Sequence, residues 1–443
     1  MAVAPAAALQ LRYLETGDLT HLDAAIARSR ADLAACETGS APAAVHLSRL
    51  CNALRMSFEH LGRERDLDEA IEAGRGSVEA TPAGHRRQAQ RLSNLGYALR
   101  LRYERLGRPA DIEQAVDLGE QAVAVAADDD PDLARMVSNL AVALRVGYEV
   151  SADPADLARA VEAGTHCLRD TAPDAYERRG MLNNLGLAHF ETFEVTRDRA
   201  DLARGGALLD EALTATPDDD PDWPMYALNL SVLMRTVATE LGSPTAADRA
   251  IQLAEQARQR LPSEHRERAG PLTELGRAHW VRAAYRDDPA ERRLAVSYRR
   301  AAARDPVASS TSRALAATAW GDWSRTASDL PEAVAGMSAA IELLTLVAWH
   351  GLDATAQHRH LRRWQGLAAS AAATGLQADE PERAVALLEQ GRTVLWNQML
   401  DRRADVDALR TARPGWAARL AEIRDALDAD RRREARARRP SER

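Results

Sequence analysis

Lysine is absent from the 443 residues, so the 58 basic side chains are all arginine. We read this as the coding bias of a GC-rich genome rather than as chemistry. Aromatic residues are scarce, at 4%, while Ala and Leu dominate a hydrophobic content of 46%. Such a composition suits close helix–helix packing and argues against a β-sandwich, whose strands favour β-branched and aromatic residues. No stretch alternates with period two, so no strands are expected. Cysteine is limited to Cys36, Cys51 and Cys167, with no CxxC spacing. That excludes a disulfide framework and fits a reducing compartment. No apolar run approaches the ~20 residues of a membrane-spanning helix. Met1 to Gln10 lack the basic and apolar regions of a secretory signal. A soluble, cytoplasmic chain with no membrane association is expected. The sequence contains no G-x-S-x-G, no Walker A and no dinucleotide fingerprint. No catalytic residue, metal or cofactor is therefore assigned, and the chain is not expected to be an enzyme.

Charge is unevenly placed. Arg431 to Arg443 contain seven Arg and two Glu, a surplus of +5. Against the overall −8, the other 430 residues carry −13. So acidic a body is a poor match for phosphate backbones, and no nucleic-acid partner is expected. The short basic tail, 431–443, reads as a solvated, disordered end.

What is present in abundance is repetition. Leu50, Leu95, Leu140, Leu185, Leu230 and Leu275 follow one another at 45-residue steps. Beside them stand small residues: Cys51, Gly96, Ala141, Gly186, Ser231 and Gly276. A second ladder runs Ala25, Ala70, Ala115, Ala160, Gly205, Ala250 and Ala295. Each unit reads as two helices. Leu92, Leu95, Leu99 and Tyr103 form one apolar stripe, and Gly107 ends that helix. A second helix starts near Pro109 to Asp111 and carries Ile112, Ala115, Val116, Ala122 and Val123. The small residues mark where neighbouring helices approach closely, and stacking buries stripes that one pair cannot bury alone. The expected fold is all-α, a helical-repeat solenoid of 45-residue helix pairs over residues 1–330. Beyond Pro331 the period fades. Residues 331–430, which hold Trp349, Trp364, Trp396 and Trp416, read as a C-terminal helical cap.

Asn94-Leu95-Gly96-Tyr97-Ala98-Leu99, followed by Ala115-Val116, Ala122-Val123 and Pro131, resembles the tetratricopeptide repeat (TPR). Asn139-Leu140, Asn184-Leu185-Gly186-Leu187-Ala188 and Asn229-Leu230 repeat the pattern, at 45 residues rather than that family's 34. A second resemblance covers nearly the whole chain. Arg12-Tyr13, Glu15 and Gly17-Asp18-Leu19 look like repeats of actinobacterial TPR–CHAT proteins, as do Ala80-Thr81-Pro82-Ala83-Gly84-His85. Val347 to Leu352, His360 to Trp364 and Leu387 to Arg392 look like the segment that precedes the CHAT domain. The resemblance implies a scaffold half without the caspase-like CHAT domain and its His/Cys dyad, which in that family would begin where this chain ends. The alternative it implies is the substrate-sensing, regulatory half of a split or truncated CHAT peptidase. A CHAT-type peptidase domain is therefore one expected partner.

Other constellations carry weaker chemistry. Asp128 to Asp132 and Asp218 to Asp222 both read Asp-Asp-Asp-Pro-Asp and match the DDxxD pattern that holds Mg²⁺ in all-α terpene synthases. They sit two repeat lengths apart, in turns between repeats rather than inside a bundle. His350, His358 and His360 lack a carboxylate or thiolate to complete a metal set. His166 and Cys167 are adjacent, so their side chains diverge on a helix, and no dyad is expected.

The candidate binding surface is another ladder. Arg55, Arg100, Arg145 and Arg235 share one repeat position, interrupted by Phe190 and Trp280. Arg100 shares a helix face with Ser93 and Tyr97, opposite Leu95. In TPR proteins the equivalent face of the first helix lines the concave groove that holds ligand peptides. The resemblance thus implies a scaffold that binds a protein or peptide partner, an acidic one if these arginines read it. The competing reading pairs the arginines with acids of adjacent repeats. The Asn ladder at Asn94, Asn139, Asn184 and Asn229 reads as structural, its amides satisfying backbone groups between repeats.

Overall fold

The computed structural model describes residues 5–127, 129–262, 265, 268–347, 364–392, 410, 413–420 and 422. Among these residues every regular element is a helix. Helices α1 (Ala6–Thr16), α3 (Ala41–Leu61), α5 (Gln88–Leu106), α7 (Leu133–Ser151) and α9 (Arg178–Thr196) are first helices of successive pairs. Their second helices are α2 (Leu19–Ala34), α4 (Glu64–Glu79), α6 (Pro109–Val125), α8 (Pro154–Asp170) and α10 (Arg199–Thr214). The series continues as α11 (Trp223–Leu241), α12 (Pro244–Arg260), α13 (Ala269–Arg286), α14 (Pro289–Arg304), α15 (Ser310–Thr326) and α16 (Leu330–Val347). Two shorter helices follow, α17 (Leu367–Gln377) and α18 (Pro381–Arg392), and residues 414–420 are also helical. The fold is an all-α, TPR-like array of helix pairs.

The turn inside each pair follows the same 45-residue rule as the core. The residue after each first helix is left-handed at Gly17, Gly62, Gly107, Ala152, Arg197 and Asp287. The next residue caps the second helix. Asp18, Asp153, Asp198, Ser243 and Asp288 each accept a backbone N–H two or three residues on, satisfying one of the helix's orphan donors. Pro109, Pro154, Pro244 and Pro289 then occupy the first helical turn, where a missing N–H costs nothing.

The framework divides into two compact units, Met1–Leu233 and Met234–Arg443. In the first, Leu92, Leu95, Ala98, Leu99 and Tyr103 of α5 are buried with Ile112, Ala115 and Ala122 of α6. The small residue beside the ladder Leu acts as expected: a Cβ on Gly96 would lie 3.1 Å from the Ala115 carbonyl oxygen. In the second, α15 and α16 pack with Trp320 and Ile341 in one core that also takes Trp364, Leu367 and Leu387.

Trp320 continues the Leu ladder by one more step, and Ala340 continues the Ala ladder. So α16 completes a pair with α15 while also packing against α17 and α18. It is the most apolar helix described, with a mean hydropathy of 1.5 over 18 residues, and 56% of it is buried. The cap expected over 331–430 lies partly outside the described residues, and the tail 431–443 lies wholly outside them.

Candidate functional site

The candidate residues of the first unit form a tight internal arrangement. The Tyr97 ring is flanked by two guanidiniums, Arg55 at 4.5 Å and Arg100 at 4.6 Å from its centroid. Its hydroxyl donates to Glu59 Oε1 at 2.8 Å. Arg55 in turn donates to Glu59, and Arg100 to Glu104, each one helical turn further on. Burial and the Glu59 carboxylate both push the Tyr97 phenol up. Arg100 is only 8% exposed. Two cations and two carboxylates leave this cluster neutral. Ser93 is buried at the joint between pairs, where it accepts from Asn139 Nδ2 at 3.0 Å. Around Ser93, Tyr97, Arg100 and Asn139 the packing leaves a crevice of about 10 Å³, room for little more than a water.

Arg145 donates to Glu191 of the following pair. Burial pushes the Glu191 carboxyl up against the pull of that arginine. Two of the asparagines, Asn139 and Asn229, bridge repeats through side chains rather than through backbone groups. Asn229 Nδ2 donates to Asn183 Oδ1 at 2.9 Å, repeating the Asn139–Ser93 bond two joints further along. Asn94 Nδ2 is buried without a partner.

Arg235, in the second unit, has different company. Its Nε donates to Glu274 Oε1 at 2.6 Å, and Glu274 is 2% exposed. Arg277 places Nη1 4.0 Å from the other carboxylate oxygen. Arg299, 4% exposed, lies with its guanidinium 4.6 Å over the Trp323 ring, and Trp323 stacks on Trp280 at 4.7 Å. Arg299 Nε is buried and meets no acceptor. Burial, with Arg277 beside it, pushes the Arg299 guanidinium down to about 9. Three guanidiniums thus act on one carboxylate, a surplus of positive charge in a poorly solvated place.

Sequence reasoning singled out only Arg235 of this group. The signal for the rest is departure from a ladder. Glu274 stands where Asn94, Asn139, Asn184 and Asn229 stand in other repeats. Arg277 takes the place of Tyr97, and Arg299 that of Gly74, Gly119, Gly164 and Ala254.

The remaining candidates resolve into local structure. Asp220 Oδ1 accepts from Asp222 N at 2.9 Å, and its other oxygen takes Arg179 at 2.8 Å. Asp130 makes the same turn with Asp132 N at 2.8 Å, and Asp132 accepts from Gln90 at 3.0 Å. Asp128 lies outside the described residues, as do His350, His358 and His360. Among the described residues no three His, Cys, Asp or Glu side chains gather as a metal set would. Cys167 Sγ donates to the Ala134 carbonyl at 3.0 Å and touches Met181 Sδ at 3.2 Å. Burial pushes its thiol up to about 11, so it is not a thiolate at neutral pH. His166 turns away to Asp170, at 3.1 Å.

No protein-family profile matches this chain, and no curated protein matches it by sequence. Among solved structures it is similar to BtubC of P. vanneervenii, at 16% identity over 62% of this chain and 91% of that one, with a TM-score of 0.35. A putative kinesin light chain of Podosopora anserina, described as having nearly identical TPR-like repeats, aligns at 18% identity over 48% and 98%, with a TM-score of 0.34. The human IFIT1 dimer with m7Gppp-AAAA aligns at 14% identity over 97% and 88%, with a TM-score of 0.42.

Proposed function

We propose that this chain is a non-catalytic, cytoplasmic interaction scaffold that receives a segment of a partner polypeptide on the face of its first helices. The observation that supports this is the surplus of cation around Glu274. Arg235, Arg277 and Arg299 share that single buried carboxylate, and Arg277 is still 47% exposed. A carboxylate arriving beside Arg277 would relieve the repulsion between guanidiniums and form charge-assisted, bidentate hydrogen bonds. The Trp280–Trp323 stack beside it offers a flat apolar surface to the flanking residue of the ligand.

A polypeptide suits this reading better than a nucleic acid. A polyanion needs a row of free cations along its backbone. Of the Arg ladder in the first unit, Arg55, Arg100 and Arg145 each hold a carboxylate of the chain itself. We accordingly place the anchoring contact at Arg235 and Arg277, with Arg55, Ser93, Tyr97, Arg100 and Arg145 bracing the first helices that carry it rather than touching the ligand. In a second reading, the resemblance at Leu387 to Arg392, now on α18, supports association with a CHAT-type peptidase domain of the TPR–CHAT kind. The division into an array over 1–330 and a cap over 331–430 is part of the proposal, with α16 serving both.

Selection from a random peptide display library tests the proposal. Enriched peptides should carry Asp, Glu or a free C-terminus beside an apolar residue. Arg277→Glu should lose them while keeping the wild-type melting temperature. Enrichment of peptides that Arg277→Glu binds equally well, or of none, sinks it.

A further inference from the structure

In two earlier helix pairs an arginine late in the first helix bridges two acids. Arg102 of α5 donates to Asp111 of its own pair at 2.7 and 2.8 Å, and to Asp68 of the preceding pair at 3.1 Å. Arg282 of α13 does the same with Glu291 at 2.6 and 3.1 Å and Asp248 at 3.1 Å. One repeat later those three positions hold Ala327, Gly336 and Arg293. The bridging cation has become a methyl group. The acid of its own pair has become a glycine, because α15 and α16 approach so closely there that a Cβ on Gly336 would run into the Gly321 backbone. The acid of the preceding pair has become a cation. Ser324 meanwhile occupies the place of the buried Leu54, Leu99 and Leu144.

Replacing large side chains by small ones opens space, and here it opens a solvent-facing cleft of about 400 Å³ between α14 and the α15–α16 pair. That is the size of a small-ligand site. Its polar lining is almost fully committed. Arg300 donates to Glu332 at 2.9 Å, and Glu332 also accepts from Trp320 Nε1 at 2.8 Å. Arg292 pairs with Asp287 at 2.7 Å, and Asp329 accepts the Glu332 backbone N–H at 3.3 Å. Two lining groups are left over. Arg293, exposed at the mouth, makes no hydrogen bond or ion pair with any described residue, and Ser324 Oγ is buried without a partner.

We propose that this cleft binds a small organic anion, whose carboxylate or phosphate group faces Arg293 and Ser324 in the space that a bridging arginine fills in other repeats. The charge order of the bridge is inverted here, cation where an acid stood, so an anion is the complement. Asp329 and Glu332 on the same wall disfavour a ligand with many negative charges, and Val296 and Ala327 supply an apolar surface. None of these lining residues belongs to the Arg235–Arg277–Arg299 cluster, so this site and the scaffold reading stand or fall separately.

Thermal unfolding of the full chain, titrated with inorganic phosphate or with free glutamate against sodium chloride of equal ionic strength, tests the site. At least one of the two anions should raise the melting temperature saturably, and the one that does identifies the group. Arg293→Ala should weaken that response at least tenfold. The double variant Arg293→Asp, Ala327→Arg restores the half of the bridge that reaches the preceding pair, fills the space, and should abolish the response while keeping a native helical spectrum. No saturable response to either anion, or one that Arg293→Ala leaves intact, overturns the proposal.

Discussion

The guanidinium of Arg299 rests 4.6 Å over the ring of Trp323, yet its Nε meets no acceptor. A cation held this way has exchanged water for an aromatic face and a shared carboxylate. Removing it is therefore unlike removing an ordinary partner in an ion pair. Arg299→Met keeps the length of the side chain and should stabilise the chain by about 1 kcal/mol in urea unfolding, since replacing buried charge by apolar volume is often favourable. Glu274→Gln takes away the only counter-charge of the cluster and should cost about 3 kcal/mol. Opposite signs are the expectation; two losses of similar size would show that the cluster is balanced as it stands.

A second buried cluster makes stability depend on pH. His279 Nδ1 lies 2.6 Å from Glu291 Oε2 and 3.2 Å from Arg282 Nη2, with Tyr298 stacked on the ring at 5.4 Å and Glu255 nearby. Burial holds the imidazole below its ordinary range, outweighing the pull of Glu291. Below the ordinary histidine pKa of about 6.5, the unfolded chain therefore takes up a proton that the folded chain does not, and stability falls as pH falls. His279→Leu copies the arrangement of Leu99 beside Arg102 and Asp111. It should flatten the difference in unfolding free energy between about pH 7.5 and 5.5. An unchanged pH slope would place the titrating group elsewhere.

The fold was readable because each requirement recurs. Leu95, Gly96 and Ala115 repeat at a fixed step, and so do the helix-ending Gly107 and the capping Asp153, so no single residue had to carry the assignment. The binding surface was harder to read. Glu59 and Glu104 lie at helical spacing from Arg55 and Arg100, so their pairing was visible in the sequence. Glu191 and Glu274 reach Arg145 and Arg235 across a joint between pairs, and only the packing of first helices brings them there. Ser93 and Tyr97 share a face with Arg100 as expected, but that face is closed by the neighbouring pair. Arg277, Arg299 and Ser324 were missed because each breaks a ladder, and a search for repetition looks past its exceptions.

Two exceptions in the turns should be correctable. Arg108 occupies the cap position of α6 without a side-chain hydrogen bond, where Asp153 and Asp198 cap α8 and α10. Arg108→Asp should add about 1 kcal/mol. Ala152 is left-handed at φ 51, where Gly62 and Gly107 stand in other pairs. Ala152→Gly should add a further ~1 kcal/mol by removing the Cβ clash of that conformation. The two sites adjoin different helices, so the gains should sum in urea unfolding. A loss at either position would mean that its turn differs from those of the other repeats.

Tyr97 offers the clearest separation between holding the array together and binding a partner. Tyr97→Phe keeps the ring between Arg55 and Arg100 and loses the bond to Glu59, which should cost about 1 kcal/mol. Tyr97→Leu also loses the π-face under two largely desolvated guanidiniums, worth about 1–2 kcal/mol each, so it should cost about 2–4 kcal/mol more. Equal costs for the two variants would mean that the ring face contributes little. Both faces of the ring and its hydroxyl are already engaged, which leaves nothing of Tyr97 for a ligand. Tyr97→Phe should therefore bind display-selected carboxylate peptides as tightly as the wild type, whereas Arg277→Glu should not. If Tyr97→Phe loses the peptides and Arg277→Glu keeps them, the partner is read in the first unit, at the arginines that pair with the chain's own carboxylates.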